Sequence, residues 1–174
     1  MISINESGVI FGYFLSDDCY KIEHSEGHKS LGDGFKMVEF TYLREQDLFV
    51  LEAKSSIPKA ESQPDYDNFW DEIFEKFENA LLLQIMGFLK RNPSVEQELP
   101  NNHKSIQWQT TIINLRLVIP KVPTQYLPPI TDKFRQRLSK IKKLWNIKDT
   151  NIFVLNEEKA RAEGLLIPSE NCEN

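Results

Sequence analysis

The sequence contains only two cysteines, Cys19 and Cys172, among its 174 residues. Two cysteines so far apart, in a chain without a signal-peptide pattern, are expected to be free thiols rather than a disulfide. The N-terminal stretch has no basic region and no small-residue cleavage site, so a cytoplasmic protein is expected. No run of about 18 apolar residues occurs, and no membrane span is therefore predicted.

An excess of positive charge and the common catalytic motifs are also missing. The formal net charge is -5, which argues against a general nucleic-acid coat but leaves room for a local basic surface. The segment Gly32-Asp33-Gly34 lacks the lysine and the helix that a phosphate-binding loop needs. There is no G-x-S-x-G elbow, and neither cysteine has an evident histidine partner. These absences disfavour P-loop enzymes, α/β-hydrolases and cysteine-nucleophile enzymes.

The composition is that of an ordinary globular protein, with 40% hydrophobic and 27% charged residues. The length suits one domain with a sizeable core. We expect a single domain over residues 1–174, with N-terminal strands and a loop in 1–34, a core in 35–156 and a C-terminal tail in 157–174.

Two apolar stretches around a short polar break predict a β-hairpin. The first stretch is residues 35–43 and the second is Leu48-Phe49-Val50-Leu51, and the break is Arg44-Glu45-Gln46-Asp47. If Leu43 and Leu48 flank the turn, the residue numbers of paired positions sum to about 91.

This register places Glu39 opposite Glu52. Side chains alternate along a strand, so Glu39, Glu52 and Lys54 share one face of the sheet. Two like charges opposite each other are destabilising, and a divalent cation would compensate, since Mg²⁺ and Ca²⁺ prefer carboxylate oxygens. The simpler alternative is a Glu–Lys pair on a solvated face.

An acid on one strand followed by Glu-x-Lys on the next resembles the PD-(D/E)XK nuclease superfamily. The resembling stretch is VEFTYLREQDLFVLEAKSS. The resemblance implies that Glu39 and Glu52 bind Mg²⁺ or Mn²⁺, and that Lys54 positions or activates the attacking water. It departs from the family in having Glu at the first position, where Asp is usual. No clear helix carrying a further acid precedes the hairpin.

The predicted element order extends the resemblance to about residues 35–156. A helix is predicted from Asp65 or Asp67 to about Arg91, with an apolar stripe that includes Trp70 and Phe77. Strands are predicted over Ile106–Ile119 and Ile152–Leu155. The expected fold is α/β, a mixed sheet with flanking helices and a restriction-endonuclease-like core.

A helix ending near Trp145 is predicted to begin at Thr131 or Asp132, and it is the most basic segment. Lys133, Arg137 and Lys140 could contact phosphates or an acidic partner, although a solvated amphipathic helix is favoured.

Several polar residues are not expected to be catalytic. His24 and His28 have metal-like spacing only on a helix, which Gly27 disfavours, so they are expected to be exposed loop residues. His103 is expected to be solvated, and Gln84 to be a buried, hydrogen-bonded amide.

Two functions follow as hypotheses. The first is a Mg²⁺-dependent nuclease of a bacterial restriction or anti-phage system, acting on DNA rather than RNA. The second is a non-catalytic adaptor on the same fold, bound to larger subunits such as an ATPase or a separate nuclease. Either protein could form homo- or hetero-oligomers, and neither is expected at a membrane.

Overall fold

A computed structural model describes residues 1–168. The strands in this range are β1 (Ile2–Glu6), β2 (Val9–Phe14), β3 (Cys19–Tyr20), β4 (Phe40–Arg44), β5 (Asp47–Ala53), β6 (Ile112–Val118) and β7 (Ile152–Leu155). The α-helices are α1 (Glu26–Lys29), α2 (Asp65–Phe88), α3 (Pro93–Glu98), α4 (Leu127–Arg137), α5 (Ser139–Leu144) and α6 (Glu157–Ala162). Short 3₁₀ turns occupy His103–Ser105, Thr124–Tyr126 and Asp149–Asn151.

Five strands form a mixed sheet in the order β3-β4-β5-β6-β7. The pairs β3/β4 and β4/β5 are antiparallel, whereas β5/β6 and β6/β7 are parallel. Parallel neighbours need long crossover connections, and α2 with α3 supplies the first while α4 with α5 supplies the second. The predicted α/β class, mixed sheet and flanking helices are confirmed.

Both faces of the sheet are covered, because β5 sends alternate side chains into two cores. Leu48 and Val50 pack with α2, α4 and α5 on one face. Phe49 and Leu51 pack on the other face with the β1–β2 hairpin, α6 and the segment that follows it. Glu52 lies two residues after Val50 in the strand, so its side chain points to the same face, toward the helices. A strand covered on both faces leaves no solvated side for an acid.

Several element boundaries differ from the sequence predictions. The strand predicted over Ile106–Ile119 is confined to β6, and α1 lies inside the predicted loop of residues 24–34. Helix α4 begins at Leu127, because Pro128 and Pro129 occupy its first turn, where no intrahelical N–H bond is required. The strand β1 was not predicted.

The structure describes one of the two cysteines, Cys19. Cys19 is buried, and burial raises the pKa of its thiol to about 12. Cys172 lies outside the described residues, as do the last residues, 169–174, of the expected C-terminal tail. No helix within residues 1–168 combines the length and the apolar character needed to cross a bilayer.

Candidate metal centre

The β4–β5 hairpin has the predicted register. Thr41 pairs with Val50 and Leu43 with Leu48, and the last pair is Phe40 with Leu51. The next step outward would place Glu39 opposite Glu52, at the point where β4 begins. Hairpin pairing and strand alternation therefore bring Glu39, Glu52 and Lys54 to the helix side of the sheet.

Glu52 is the most deeply buried acid of this group, with 0% of its surface exposed. Its Oε1 atom lies 2.9 Å from the Lys76 Nζ atom and 3.5 Å from the Lys54 Nζ atom. Its Oε2 atom is also buried and has no hydrogen-bond partner within residues 1–168. Burial raises the pKa of this carboxyl to about 7, although the Lys76 ammonium acts in the opposite direction. An unpartnered buried oxygen of this kind suits a ligand that supplies positive charge.

Glu39 forms the second part of the site together with Glu23. The two carboxyl groups lie within hydrogen-bonding distance of each other, which requires that a proton or a cation lies between them. Burial, the contact with Glu23 and the nearby charge of Glu52 raise the pKa of Glu39 to about 9. In Glu23 burial raises the pKa, but the contacts with Glu39 and Lys76 outweigh it and lower the pKa below its ordinary value.

The Glu23–Glu39 pair faces a groove of about 400 Å³. Its polar lining also includes Glu6, Lys21 and His24. Lys21 and His24 are exposed. The groove therefore gives a solvent-borne ion or an anionic ligand a route to the half-buried acids, whereas Glu52 has no surface of its own on it.

Lys54 is the most accessible basic group of the centre, with 26% of its side chain exposed. Its Nζ atom lies 2.6 Å from the Glu72 Oε1 atom and 3.5 Å from Glu52. Glu72 comes from α2, one turn before Lys76. Lys54 is thus held by two carboxylates at the edge of the acid cluster, which consists of Glu23, Glu39 and Glu52.

The charged residues of α2 are expected from the sequence to lie mainly on its exposed side, and for Lys76 this expectation is wrong. Only 8% of its side chain is exposed, because it follows Ile73 by three residues and precedes Ala80 by four, and both are buried against the sheet. Burial lowers the pKa of its ammonium group, but Glu52 and other nearby carboxylates outweigh this effect and raise it. The buried face of α2 is therefore wider than the apolar stripe predicted from the sequence.

The basic residues that the sequence also suggested as contacts are not brought to the candidate metal centre. Arg137 forms ion pairs with Asp67 and with Asp71, the latter at 3.4 Å. The Lys133 ammonium lies 5.9 Å from the ring centre of Tyr66, and Lys140 is exposed. Within residues 1–168 no hydrogen bond or ion pair joins these basic side chains to the acid cluster. Of the three predicted basic residues, Arg137 is therefore the one whose charge is paired with acids of helix α2.

Gln84 was predicted to be buried and His103 to be solvated, and only the prediction for Gln84 is confirmed. Gln84 is buried, as predicted, and its Nε2 atom lies 2.9 Å from the Nδ1 atom of His103. His103 is also buried rather than solvated, and its Nε2 atom lies 2.7 Å from the backbone oxygen of Asp18. This pair fixes the 3₁₀ turn at His103–Ser105 against the start of β3, so the histidine has a structural role. His24 is exposed and His28 is half-buried.

The carboxyl groups of Glu23, Glu39 and Glu52 do not form a complete metal-binding site in this structure. No group of three or more His, Cys, Asp or Glu side chains in the described part of the chain is arranged as a ready-made metal cage. The chemistry of the donors nevertheless fits a hard cation, since carboxylate oxygens are what Mg²⁺ and Mn²⁺ prefer. The residues that could hold the ion are Glu39 and Glu52, with Glu23 beside them.

Sequence reasoning found three members of this centre and missed three. Glu39, Glu52 and Lys54 lie on one hairpin, and their positions follow from its register. Glu23, Glu72 and Lys76 come from other parts of the chain, and only the spacing of Lys76 from Ile73 and Ala80 gave a signal. Comparisons with protein-family models, with curated proteins and with solved structures each find no significant match to this chain.

Proposed function

We propose that this protein is a metal-dependent phosphodiester hydrolase that cleaves nucleic acid, DNA rather than RNA. It would act in the bacterial cytoplasm as part of a defence system. The observation that carries the proposal is the surplus of carboxyl groups at the hairpin. Glu23 and Glu39 contact each other directly, and the adjacent Glu52 has a buried oxygen without a partner. A divalent cation would satisfy all three acids at once.

The element order supports the same proposal. An antiparallel hairpin carries the acids and the lysine, and β5 is followed by a long helix, a parallel strand, a second helical segment and another parallel strand. That is the order expected of a restriction-endonuclease-like core, which we propose for residues 35–156. The β1–β2 hairpin and α6 cover the opposite face of the sheet, although Glu6 of β1 also lines the groove at Glu39.

Each residue would have a distinct role in the reaction. Glu39 and Glu52 would hold Mg²⁺ or Mn²⁺, which supplies charge stabilisation at the scissile phosphate and a more acidic bound water. Lys54 is partly exposed beside Glu52, so its ammonium can donate a hydrogen bond to a water or phosphate oxygen that enters from solvent. Lys21 and His24 line the groove and would contact phosphate groups.

A second function is favoured by one specific observation. Glu52 is fully buried and its Oε1 atom already faces two ammonium groups, so its charge could be compensated without a metal. The protein would then be a non-catalytic adaptor on the same fold, bound to a larger subunit such as an ATPase or a separate nuclease. This function requires that the purified wild-type protein binds no divalent metal.

Cleavage assays with matched charge variants test the first function. Supercoiled plasmid, linear DNA and single-stranded RNA are incubated with the wild-type protein and Mg²⁺ or Mn²⁺. We expect Glu39→Gln and Lys54→Met to reduce the cleavage rate by about 100-fold or more, as is typical when a group that acts in the transition state is removed. Glu45→Gln, in the exposed turn of the same hairpin, should retain the wild-type rate.

Circular dichroism of each variant separates loss of activity from loss of folding. Cleavage that persists in both folded variants would reject the assigned residues. An inactive wild-type protein that also gives no heat of binding in a Mn²⁺ titration would reject the nuclease and favour the adaptor.

A further inference from the structure

A pocket of about 530 Å³ opens at the end of the sheet opposite the candidate metal centre. Its lining includes Ile112, the first residue of β6, and Asn151, which directly precedes β7. In the β5/β6 ladder Ile112 pairs with Asp47, whereas Glu52 pairs with Leu117. At about 3.3 Å per residue, roughly 16 Å of strand separates the two positions. The volume lies within the range of roughly 300–1,000 Å³ that is typical of small-molecule sites.

Two tryptophans form one wall of this pocket. Trp108 and Trp145 both line it, and both are only partly buried. Their ring centres lie 6.0 Å apart and their planes are inclined by 48°, so neither ring covers the face of the other. Ile112, which is 49% exposed, continues the apolar surface. Aromatic faces of this kind offer a stacking surface to a flat ring.

The end of helix α5 fixes the position of Trp145. The next residue, Asn146, has a φ of 52°, in the left-handed region that asparagine tolerates and that commonly ends a helix. The N–H of Ile147 then donates a hydrogen bond to the Lys142 oxygen at 2.9 Å. Ile147 turns into the core while Asn146 stays exposed, and this leaves Trp145 and Asn146 at the pocket.

A tight turn before β6 holds Trp108 in a similar way. The backbone N–H of Thr111 donates to the Gln107 oxygen at 2.9 Å, and the Thr111 hydroxyl donates to the same oxygen at 3.0 Å. Trp108 lies inside this turn, and its ring also meets Phe88 edge to face. Both indole rings are therefore held in place by the protein, which reduces the entropy that a ligand would lose on binding.

Amide groups lie beside the aromatic wall. Gln109 and Asn146 line the pocket and are exposed. The Asn151 Nδ2 atom donates a hydrogen bond to the Asn114 Oδ1 atom at 3.1 Å, which leaves the Asn151 Oδ1 atom as an acceptor. Side-chain amides both donate and accept hydrogen bonds, so they can match the alternating nitrogen and oxygen atoms at the edge of a nucleobase.

The only charge in the lining is positive. Lys148 lines the pocket and is exposed, and no acidic residue of the described chain lines it. The acid next in sequence, Asp149, pairs with Lys142 at 2.8 Å instead. The Lys148 ammonium is thus available to an anionic group, and a phosphate would accept its charge-assisted hydrogen bonds.

We propose that this pocket binds a nucleoside monophosphate, with the base against Trp108 and Trp145 and the phosphate at Lys148. A free nucleotide and the 5′-phosphorylated end of a single strand share this chemistry. The inference goes beyond the proposed function and does not rest on it, because a ligand at this end of the sheet lies away from Glu52 and Lys54.

Binding measurements on the wild-type protein test the ligand class. AMP, GMP, CMP and UMP are titrated by calorimetry and by tryptophan fluorescence, with adenosine and ribose 5-phosphate as partial ligands. We expect one AMP per chain and quenching of the fluorescence. Adenosine, which lacks the phosphate, should bind about 10-fold more weakly, and ribose 5-phosphate should not quench the fluorescence. Competition between AMP and 5′-phosphorylated tetra-adenylate then shows whether the pocket also accepts the end of a strand.

Matched variants locate the site. Trp145→Leu should weaken AMP binding by about 10-fold or more, because a stacking surface is lost. Lys148→Gln should weaken AMP binding by about 10-fold and leave adenosine binding unchanged, since adenosine has no phosphate. The controls Tyr126→Leu and Lys59→Gln change an exposed aromatic residue and an exposed lysine outside the pocket, and both should bind AMP as the wild type does.

The possible results keep the inference separate from the proposed function. It would be overturned if the folded wild-type protein bound none of the four nucleotides, if ribose 5-phosphate bound as tightly as AMP, or if Lys148→Gln bound AMP with wild-type affinity. The last result decides even where Trp145→Leu does not fold, because Lys148 is exposed and its replacement leaves the core intact. AMP binding that depends on Trp145 and Lys148 supports the pocket even in a protein that cleaves no nucleic acid.

Discussion

At the scale of single residues, the candidate centre is governed by the opposition of burial and charge. Burial disfavours the ionised form of Glu52, while Lys76 and Lys54 favour it, and the pKa settles at about 7. Glu39 has no comparable ammonium contact, and its pKa is raised to about 9. A metal ion would shift both acids toward the ionised form, so any metal binding would be coupled to proton release.

The first prediction concerns Glu39 and pH. Without metal, the folded protein keeps the Glu39 proton up to about pH 9, whereas the unfolded chain loses it near the ordinary value of 4.5. Unfolding therefore releases a proton in this window, and the free energy of unfolding falls as pH rises. Glu52, with a pKa of about 7, is largely ionised from about pH 8 upward, so Glu39 supplies most of the remaining slope between pH 8 and 9.

Thermal unfolding in EDTA measures this effect. We expect the melting temperature of the wild-type protein to fall more steeply between pH 8 and 9 than that of Glu39→Gln. An effect of about 1 kcal/mol, discounted for the partial exposure of Glu39, corresponds to roughly 2–4 °C. Glu45→Gln should follow the wild type. Parallel curves for the wild type and Glu39→Gln would contradict the assigned titration.

The residue scale also shows how far the sequence alone reaches. The register of the hairpin follows from the turn and from strand alternation, which are local rules, and it is confirmed up to the pair Phe40–Leu51, with Glu39 directly before β4. The contacts of Lys76 with Glu52 and Glu23 join residues 24 and 53 positions apart in the chain. They depend on how α2 lies on the sheet, and no local pattern specifies that placement.

At the scale of elements, the edge strand β7 is protected by side chains from α4. The backbone N–H of Val154 donates a hydrogen bond to the Thr131 hydroxyl at 3.2 Å, and Arg135 donates one to the backbone oxygen of Ile152 at 3.0 Å. An unprotected edge strand offers free backbone groups to other chains. The side chains of α4 therefore satisfy the edge that would otherwise promote self-association.

The second prediction follows from Thr131. Thr131→Val keeps the shape of the buried side chain but removes the hydroxyl, which leaves the N–H of Val154 unsatisfied. The expected cost is about 1–3 kcal/mol in the free energy of unfolding, together with a greater tendency to form oligomers. Urea denaturation and light scattering measure the two effects.

Thr150→Val is the matched control, because Thr150 is exposed and the substitution should change stability by no more than about 0.5 kcal/mol. Equal denaturation midpoints for the two variants would show that the hydroxyl of Thr131 does not protect the edge.

Element boundaries were predicted less well than element types, and the reasons are physical. Ile106 and Trp108 belong to the apolar run that was predicted as one long strand, but they pack beside the sheet rather than within it. Hydrophobic periodicity reports burial, and it does not distinguish a strand from an irregular segment that covers a core. The start of α4 was likewise predicted too late, because prolines are tolerated in the first turn of a helix.

At the scale of the whole molecule, the two ends of the described chain meet on one face of the sheet. The Gly12 N–H donates a hydrogen bond to the Leu165 oxygen at 3.1 Å, and the Ile167 N–H donates one to the Ile10 oxygen at 3.0 Å. The segment after α6 therefore extends the β1–β2 hairpin, with Leu166 bridging to Phe11. Together they cover the side chains of Phe49 and Leu51 on the face opposite the candidate metal centre.

The last prediction tests whether this cover is essential for the fold. Leu165 has 0% of its surface exposed, so Leu165→Ala should remove buried contacts and lower the free energy of unfolding by about 2–5 kcal/mol. Leu144→Ala makes the same chemical change at a site that is 80% exposed, and its effect should stay within about 0.5 kcal/mol. Denaturant unfolding followed by tryptophan fluorescence measures both. Trp70, Trp108 and Trp145 all pack on the helix side of the sheet, so a loss of the tryptophan signal at lower denaturant in Leu165→Ala would show that the two faces unfold as one unit. A large loss of stability without any change in the tryptophan transition would contradict that coupling.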